Sequence, residues 1–120
     1  IQKVRLINWL NQGYTKNKNK EENMYVKIEQ KLSKGFNSWK TMMLANGEKL
    51  KKYGMTVVFA GADKEDDNAM TVIINFESPE GLKGFGGDQE LTQARIDAGV
   101  IMDQSKMTMM TDESVMNHKG

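Results

Sequence analysis

The chain has 120 residues, with 17 Lys and Arg against 16 Asp and Glu, 38% apolar and 28% charged side chains, one Pro, ten Met and no Cys. That is one domain's length, and the lack of thiols excludes disulfide scaffolds, Cys-based zinc sites, iron–sulfur clusters and Cys nucleophiles. No apolar run approaches the ~20 residues that cross a bilayer as a helix, so a cytoplasmic globular domain with no membrane partner is expected.

Charge divides unevenly along the chain. Residues 1–23 carry five basic side chains (Lys3, Arg5, Lys16, Lys18, Lys20) and two acidic ones (Glu21, Glu22), a net of +3, leaving 12 basic and 14 acidic, a net of −2, for the body. A mildly acidic body with Arg95 as its single arginine lacks the clustered guanidinium groups of a nucleic-acid surface, so no nucleic-acid partner is expected. Residues 14–23 form a polar, low-complexity linker. Residues 1–23 therefore read as an N-terminal extension, a non-native leader with Met24 as the expected natural start. Residues 24–113 are the domain and 114–120 a tail. Within the extension Ile1, Val4, Ile7 and Leu10, with Trp9 beside them, fall at helical spacing and can dock on the body or a partner.

Met24–Leu32 alternates Val26, Ile28 and Leu32 with polar residues, the period of two of a strand. Over 36–53 the spacing changes: Phe36, Trp39, Met43, Leu50 and Tyr53 predict one amphipathic helix, with Ser33 as its cap and Gly54 as its stop. Residues 55–61 and 70–76 are β-rich runs joined by an acidic loop over 62–69. Ser78-Pro79-Glu80 supplies a hydroxyl cap, a proline and an acid at a helix start, and this short helix ends near Gly84. Asp88 caps a second piece through Leu91 and Arg95, closed by Gly99, and 106–111 forms the last strand.

The order is βαββαβ. Right-handed crossovers then place both helices on one face of a four-stranded antiparallel sheet of order 4-1-3-2, the ferredoxin-like α+β fold. In the third strand Met70, Val72, Ile74 and Phe76 point one way and Ile73 the other; in the second, strict alternation sets Val58 and Ala60 opposite Val57 and Phe59. Central strands apolar on both faces have both faces covered. The helices cover one, so Val58, Ala60 and Ile73 are candidates for a face shared with a second copy of the chain.

This order, the split second helix after Ser78-Pro79-Glu80-Gly81 and the two-sided third strand resemble the dimeric α/β-barrel superfamily, which includes antibiotic-biosynthesis-monooxygenase-like and stress-responsive barrel proteins. The closest resemblance is to small, uncharacterised bacterial proteins of that group. It implies a homodimer with ligand cavities near the sheet–helix layer. Cofactor-free monooxygenases of the superfamily orient their substrate with Asn and Trp; Asn37, Trp39 and Asn75 are present here, but not at a spacing that matches that pattern.

Each chemical candidate has a plainer reading beside it. Trp39 lies on the apolar helical stripe as a core anchor, and Asn75 as a main-chain-bonded amide near a strand end. His118, the one histidine, sits in a polar tail with nothing to pair with. Gly81, Gly84, Gly86 and Gly87 fit no phosphate-binding spacing and read as a hinge that turns Phe85 into the core. Asp63, Glu65, Asp66 and Asp67 fit no EF-hand and read as a solvated hairpin tip. The methionines read as gap-filling core. No metal or cofactor is expected. The leading expectation is a homodimer binding a small, apolar or aromatic molecule in a cavity bounded by Phe36, Trp39, Met43, Phe59, Asn75, Phe85 and Met109, with Asn75 orienting it. The alternatives are a cofactor-independent monooxygenase of aromatic substrates and a structural or regulatory dimer with a filled barrel.

Overall fold

The computed structural model describes residues 23–120. The N-terminal stripe at Ile1, Val4, Ile7 and Leu10 and the reading of that extension as a leader lie outside the described residues. The elements run β1 (Met24–Leu32), α1 (Phe36–Ala45), α2 (Gly47–Lys52), β2 (Met55–Asp63), β3 (Asp66–Phe76), α3 (Pro79–Gly87), α4 (Gln89–Asp97) and β4 (Val100–Met110). This is the expected βαββαβ order with each helical element split in two. The sheet order β2-β3-β1-β4 is the expected one, with every pairing antiparallel.

The β1–β3 ladder carries the core. Val26 lies opposite Ile74 and Ile28 opposite Val72, all four are buried, and Trp39, Phe85 and Leu91 from the helices close over them. Side chains one position along, Tyr25, Lys27 and Glu29 on β1 with Thr71, Ile73 and Asn75 on β3, point to the opposite face because the strand period is two.

The expected single helix over 36–53 breaks at Asn46. Its amide donates back to the Met42 carbonyl at 2.8 Å, so the side chain competes with the helical ladder, and Gly47 follows it. Ser33 does not cap α1; its hydroxyl donates to the Gly99 carbonyl instead. The free N–H groups at the start of α1 are met from across the chain. Gly35 donates to Asn68 Oδ1 at 2.8 Å and Phe36 to Asp67 Oδ2 at 3.1 Å, which places a carboxylate at the positive end of the helix.

Pairing also extends further than local composition indicates. The expected loop over 62–69 is mostly strand, closed by a turn at Lys64 and Glu65 with Asp63 opposite Asp66. β4 begins directly after Gly99 rather than at 106, its register against β1 slipping between Glu29 and Lys31. In both places an existing ladder extends a strand that its own polar residues would not start. The helix starts are as read: Ser78 accepts from the Gly81 N–H at 3.3 Å and Asp88 from the Leu91 N–H at 2.9 Å.

Strict alternation fails in β2. A bulge between Val57 and Phe59 leaves Val57 opposite Ile74 but Phe59 opposite Ile73 and Ala60 opposite Val72. One extra residue reverses every side chain beyond it. Phe59 therefore sits on the open face, 58% exposed, and Ala60 packs against the core, the reverse of the expected placement; Val58, at the bulge, is exposed.

The helical segment breaks at Asp88, directly after Gly86 and Gly87, and Phe85 is buried, as read; Gly81 and Gly84 lie inside α3 and serve packing instead. A Cβ on Gly81 would collide with the Tyr53 carbonyl, and one on Gly84 would lie 2.5 Å from the Tyr53 ring, so the pair forms a groove in which Tyr53 rests. Gly86 would meet nothing within 4 Å. Gly84→Ala is expected to destabilise the fold by roughly 1–3 kcal/mol through overpacking, whereas Gly86→Ala is expected to be neutral or to stabilise by up to about 1 kcal/mol through helix propensity. Urea unfolding of the two variants measures both.

Candidate functional site

Between the sheet and the helices lies a narrow cavity of about 40 Å³. Ile28, Val72 and Ile74 form its floor, Trp39 and Met43 of α1 one wall, Phe85 and Leu91 another, and Leu50 of α2 a third. Its polar groups are Asn46 and Arg95. The Asn46 amide nitrogen is committed to Met42, which fixes the orientation of the group because a carbonyl oxygen accepts only from a donor. Arg95 lies over the Phe85 ring, 5.0 Å from its centre. Burial pulls its guanidinium below the usual arginine range, yet it remains cationic at neutral pH. Among the described residues no carboxylate lies within salt-bridge distance of it.

Three of the seven expected cavity residues, Trp39, Met43 and Phe85, meet at this space. Phe36 stands just behind, its ring stacked on Trp39 at 5.8 Å. The other three lie elsewhere. Phe59 is on the open face because of the β2 bulge. Asn75 is on that face too, opposite Tyr25 on β1 and Thr56 on β2, with its amide 3.5 Å from the Met24 carbonyl. Met109 is opposite Val26 on the helix side of the sheet, but β4 is an edge strand and leaves this side chain 51% exposed. Asn37 is exposed on α1 and His118 in the tail. Sequence reasoning missed Asn46 and Arg95. The signal for Arg95 was its isolation, the one arginine in a lysine-rich body; nothing local marked Asn46.

A polar cluster borders the cavity. Asp88 Oδ2 accepts from Lys49 Nζ and from the Tyr53 hydroxyl, both at 2.6 Å, and Lys49 also reaches Glu90 at 3.1 Å. Together with the Leu91 N–H on Oδ1, these donors hold the Asp88 carboxyl far below the usual carboxylate range, and the same bonds raise Lys49 and Tyr53 above theirs. The cluster fastens α2 to the start of α4.

Across the sheet, the face turned away from the helices presents Tyr25, Phe59, Ile73 and Met110 beside Lys27, Glu29 and Lys106. No helix of the described residues covers it. Among the described residues no group of three His, Asp or Glu side chains could hold a metal ion, and no helix is long and apolar enough to cross a membrane.

No protein-family model matches the chain, and no curated protein matches it. Solved structures do. The chain is similar to SnoaB, a cofactor-independent oxygenase from Streptomyces nogalater, with a TM-score of 0.62 and 8% identity over 81% of this chain and 99% of that one. It is similar to the monooxygenase ActVA-Orf6 of Streptomyces coelicolor, solved in complex with nanaomycin D, with a TM-score of 0.55 and 18% identity over 88% of this chain and 100% of that one. A proposed antibiotic biosynthesis monooxygenase from Caulobacter crescentus aligns with a TM-score of 0.57 and 16% identity over 79% of this chain and 92% of that one. The chain therefore has the fold of the antibiotic-biosynthesis-monooxygenase-like, dimeric α/β-barrel proteins. At these identities the likeness speaks for the fold and not for the chemistry.

The Asp88 cluster sets a pH dependence. Asp88 is depressed, so its contribution is present above the unfolded-chain value near pH 4 and is lost as pH falls toward its folded value. Lys49 and Tyr53 are raised, so theirs are present below about pH 10 and are lost as pH rises through the folded values. Asp88→Asn keeps an oxygen for the Leu91 N–H but removes the charge. It is expected to lower Tm at neutral pH and to flatten the decline of Tm below about pH 4, as measured by thermal melts across the pH range.

Proposed function

We propose that this protein is a homodimer that binds a small, planar, apolar or aromatic molecule carrying an anionic oxygen. The observation that supports this best is Arg95, a guanidinium without a carboxylate partner among the described residues, on the wall of a cavity lined, Asn46 apart, by apolar side chains. Arg95 is partly buried, and a cation drawn partly out of water gains from an anionic partner; an oxyanion at one end of an aromatic ligand supplies one while the ring lies among Trp39, Met43 and Phe85. Arg95 thus takes the orienting role that the sequence points to at Asn75.

The open face supports the dimer. Ile73 and Phe59 are apolar side chains on a sheet face that no helix of the described residues covers, and Lys27, Glu29 and Lys106 lie among them. A patch carrying both signs of charge can meet a copy of itself across a two-fold axis, cation to anion. Trp39 in the cavity and the structural likeness to SnoaB, a cofactor-independent oxygenase, favour a second reading, in which the bound aromatic is oxidised by molecular oxygen without a cofactor.

Binding is read by quenching of Trp39 fluorescence in a Trp9→Phe background, with an anionic hydroxynaphthoquinone as probe. Arg95→Leu is expected to weaken the anion at least about tenfold, since a charge-assisted bond is worth about 1.5–3 kcal/mol, and to leave an uncharged naphthalene unaffected. Equal loss for both ligands would remove Arg95 from the reading. Oxygen uptake with the bound probe and no added cofactor separates enzyme from binder. Ile73→Lys, in a side chain outside the core, is expected to shift the dimer to monomer in sedimentation equilibrium without loss of fold; a wild-type monomer at micromolar concentration overturns the dimer.

A further inference from the structure

The cavity is smaller than its proposed occupant. Its 40 Å³ falls well short of the roughly 150 Å³ of an engineered cavity that admits benzene, so one wall must yield for an aromatic ligand to enter. The walls are not equally fixed. The floor is the central ladder of the sheet, with Val72 and Ile74 buried. The Phe85 and Leu91 wall belongs to α3 and α4, both capped by side chains at their starts, with both residues buried.

The α2 wall differs in every respect. None of its residues is buried and its start has no side-chain cap, because the Asn46 amide is turned back to Met42. Leu50 is the one residue of α2 packed against the core. The remaining tie is Lys49, on Asp88 and Glu90. At the far end of α2, Tyr53 is wedged on Gly81 and Gly84, and Gly54 follows with φ +61°, its carbonyl accepting from the Glu77 N–H at 3.0 Å, so this end of the helix is held.

We propose that α2 is the door of the cavity, turning about Tyr53–Gly54 with its free end at Asn46–Gly47, and that Lys49 is its latch. The inference rests on the ligand-binding reading for its purpose but not for its geometry. Opening lifts Leu50 from the apolar wall and breaks the bonds of Lys49 to Asp88 and Glu90. It takes the cation from Asp88 but leaves the carboxylate hydrogen-bonded. Asp88, whose side chain is 6% exposed, keeps the Tyr53 hydroxyl and the Leu91 N–H when Lys49 leaves, and Lys49 and Glu90 pass into water. The doorpost therefore stays assembled while the door moves, which makes the open state a local excursion rather than partial unfolding.

Amide hydrogen exchange on the full chain without ligand tests the door. Amides of Gly47–Lys52 are expected to exchange faster than those of β1, β3 and α3. Lys49→Met, similar in length but uncharged, is expected to speed exchange of that segment severalfold and leave β1 and β3 unchanged. Raised salt on the wild-type chain, which screens the solvent-facing Lys49–Glu90 contact, is expected to act in the same direction and needs no variant. Protection of Gly47–Lys52 equal to that of β1 and β3, or acceleration spread evenly over the chain, overturns the door. Stopped-flow quenching with the hydroxynaphthoquinone adds the ligand: faster association in Lys49→Met supports the latch, and an unchanged rate overturns it. Local exchange as expected with no quenching at any probe concentration overturns the ligand reading alone; quenching with uniform exchange overturns the door alone.

Discussion

In the β1–β3 ladder Val26 faces Ile74 and Ile28 faces Val72, and the position of everything else follows from that register. Because side chains alternate along a strand, these pairs assign one face to the helices and leave Tyr25, Lys27, Ile73 and Asn75 on the other. The core, the cavity floor and the open face are three consequences of one set of main-chain bonds. A slip of one residue between these two strands would send Ile73 into the core and Ile74 out of it.

On that frame two polar anchors fix the helices. Asp67 and Asn68, from the hairpin side of the sheet, satisfy the start of α1, and Asp88 joins the cap of α4 to Lys49 and Tyr53. Both anchors connect segments more than thirty residues apart. Asp67, one of the acidic residues of the exposed hairpin tip, thus also takes part in holding α1 in place, and Gly81 and Gly84 make room for Tyr53. Beneath these anchors Arg95 lies against Phe85 at the cavity wall. The fold is shared with oxygenases, but a shared scaffold transmits no reaction; the reading of this site rests on its own guanidinium, aromatic rings and narrowness.

The strands β1 and β3, the capped starts of α3 and α4, and the order of the elements were legible in the chain because each depends on contacts within a few residues: alternation in Val26, Ile28 and Leu32, a hydroxyl at Ser78 beside Pro79, a carboxylate at Asp88. So was the apolar stripe that brings Trp39 and Met43 to the cavity, since helical periodicity is also local. What alternation could not reveal was the bulge at Val57–Phe59, which moved Phe59 to the open face and Ala60 to the core. The polar hairpin and the early start of β4 were hidden likewise, because a partner strand imposed the extended backbone there.

Local pattern settled the order of strands and helices and that Met70, Val72, Ile74 and Phe76 share one side of β3, for hydrogen bonding and burial along one element repeat with that element's own period. Alternation along β3 already puts Asn75 on the side of Ile73; the tertiary structure alone decided that the cavity lies on the other side, that Arg95 and Asn46 are the polar groups beside Trp39, and that Lys49 meets Asp88. Each of these depends on where two distant segments come to rest against each other, and that is set by packing across the sheet, for which no short stretch of chain carries a signal.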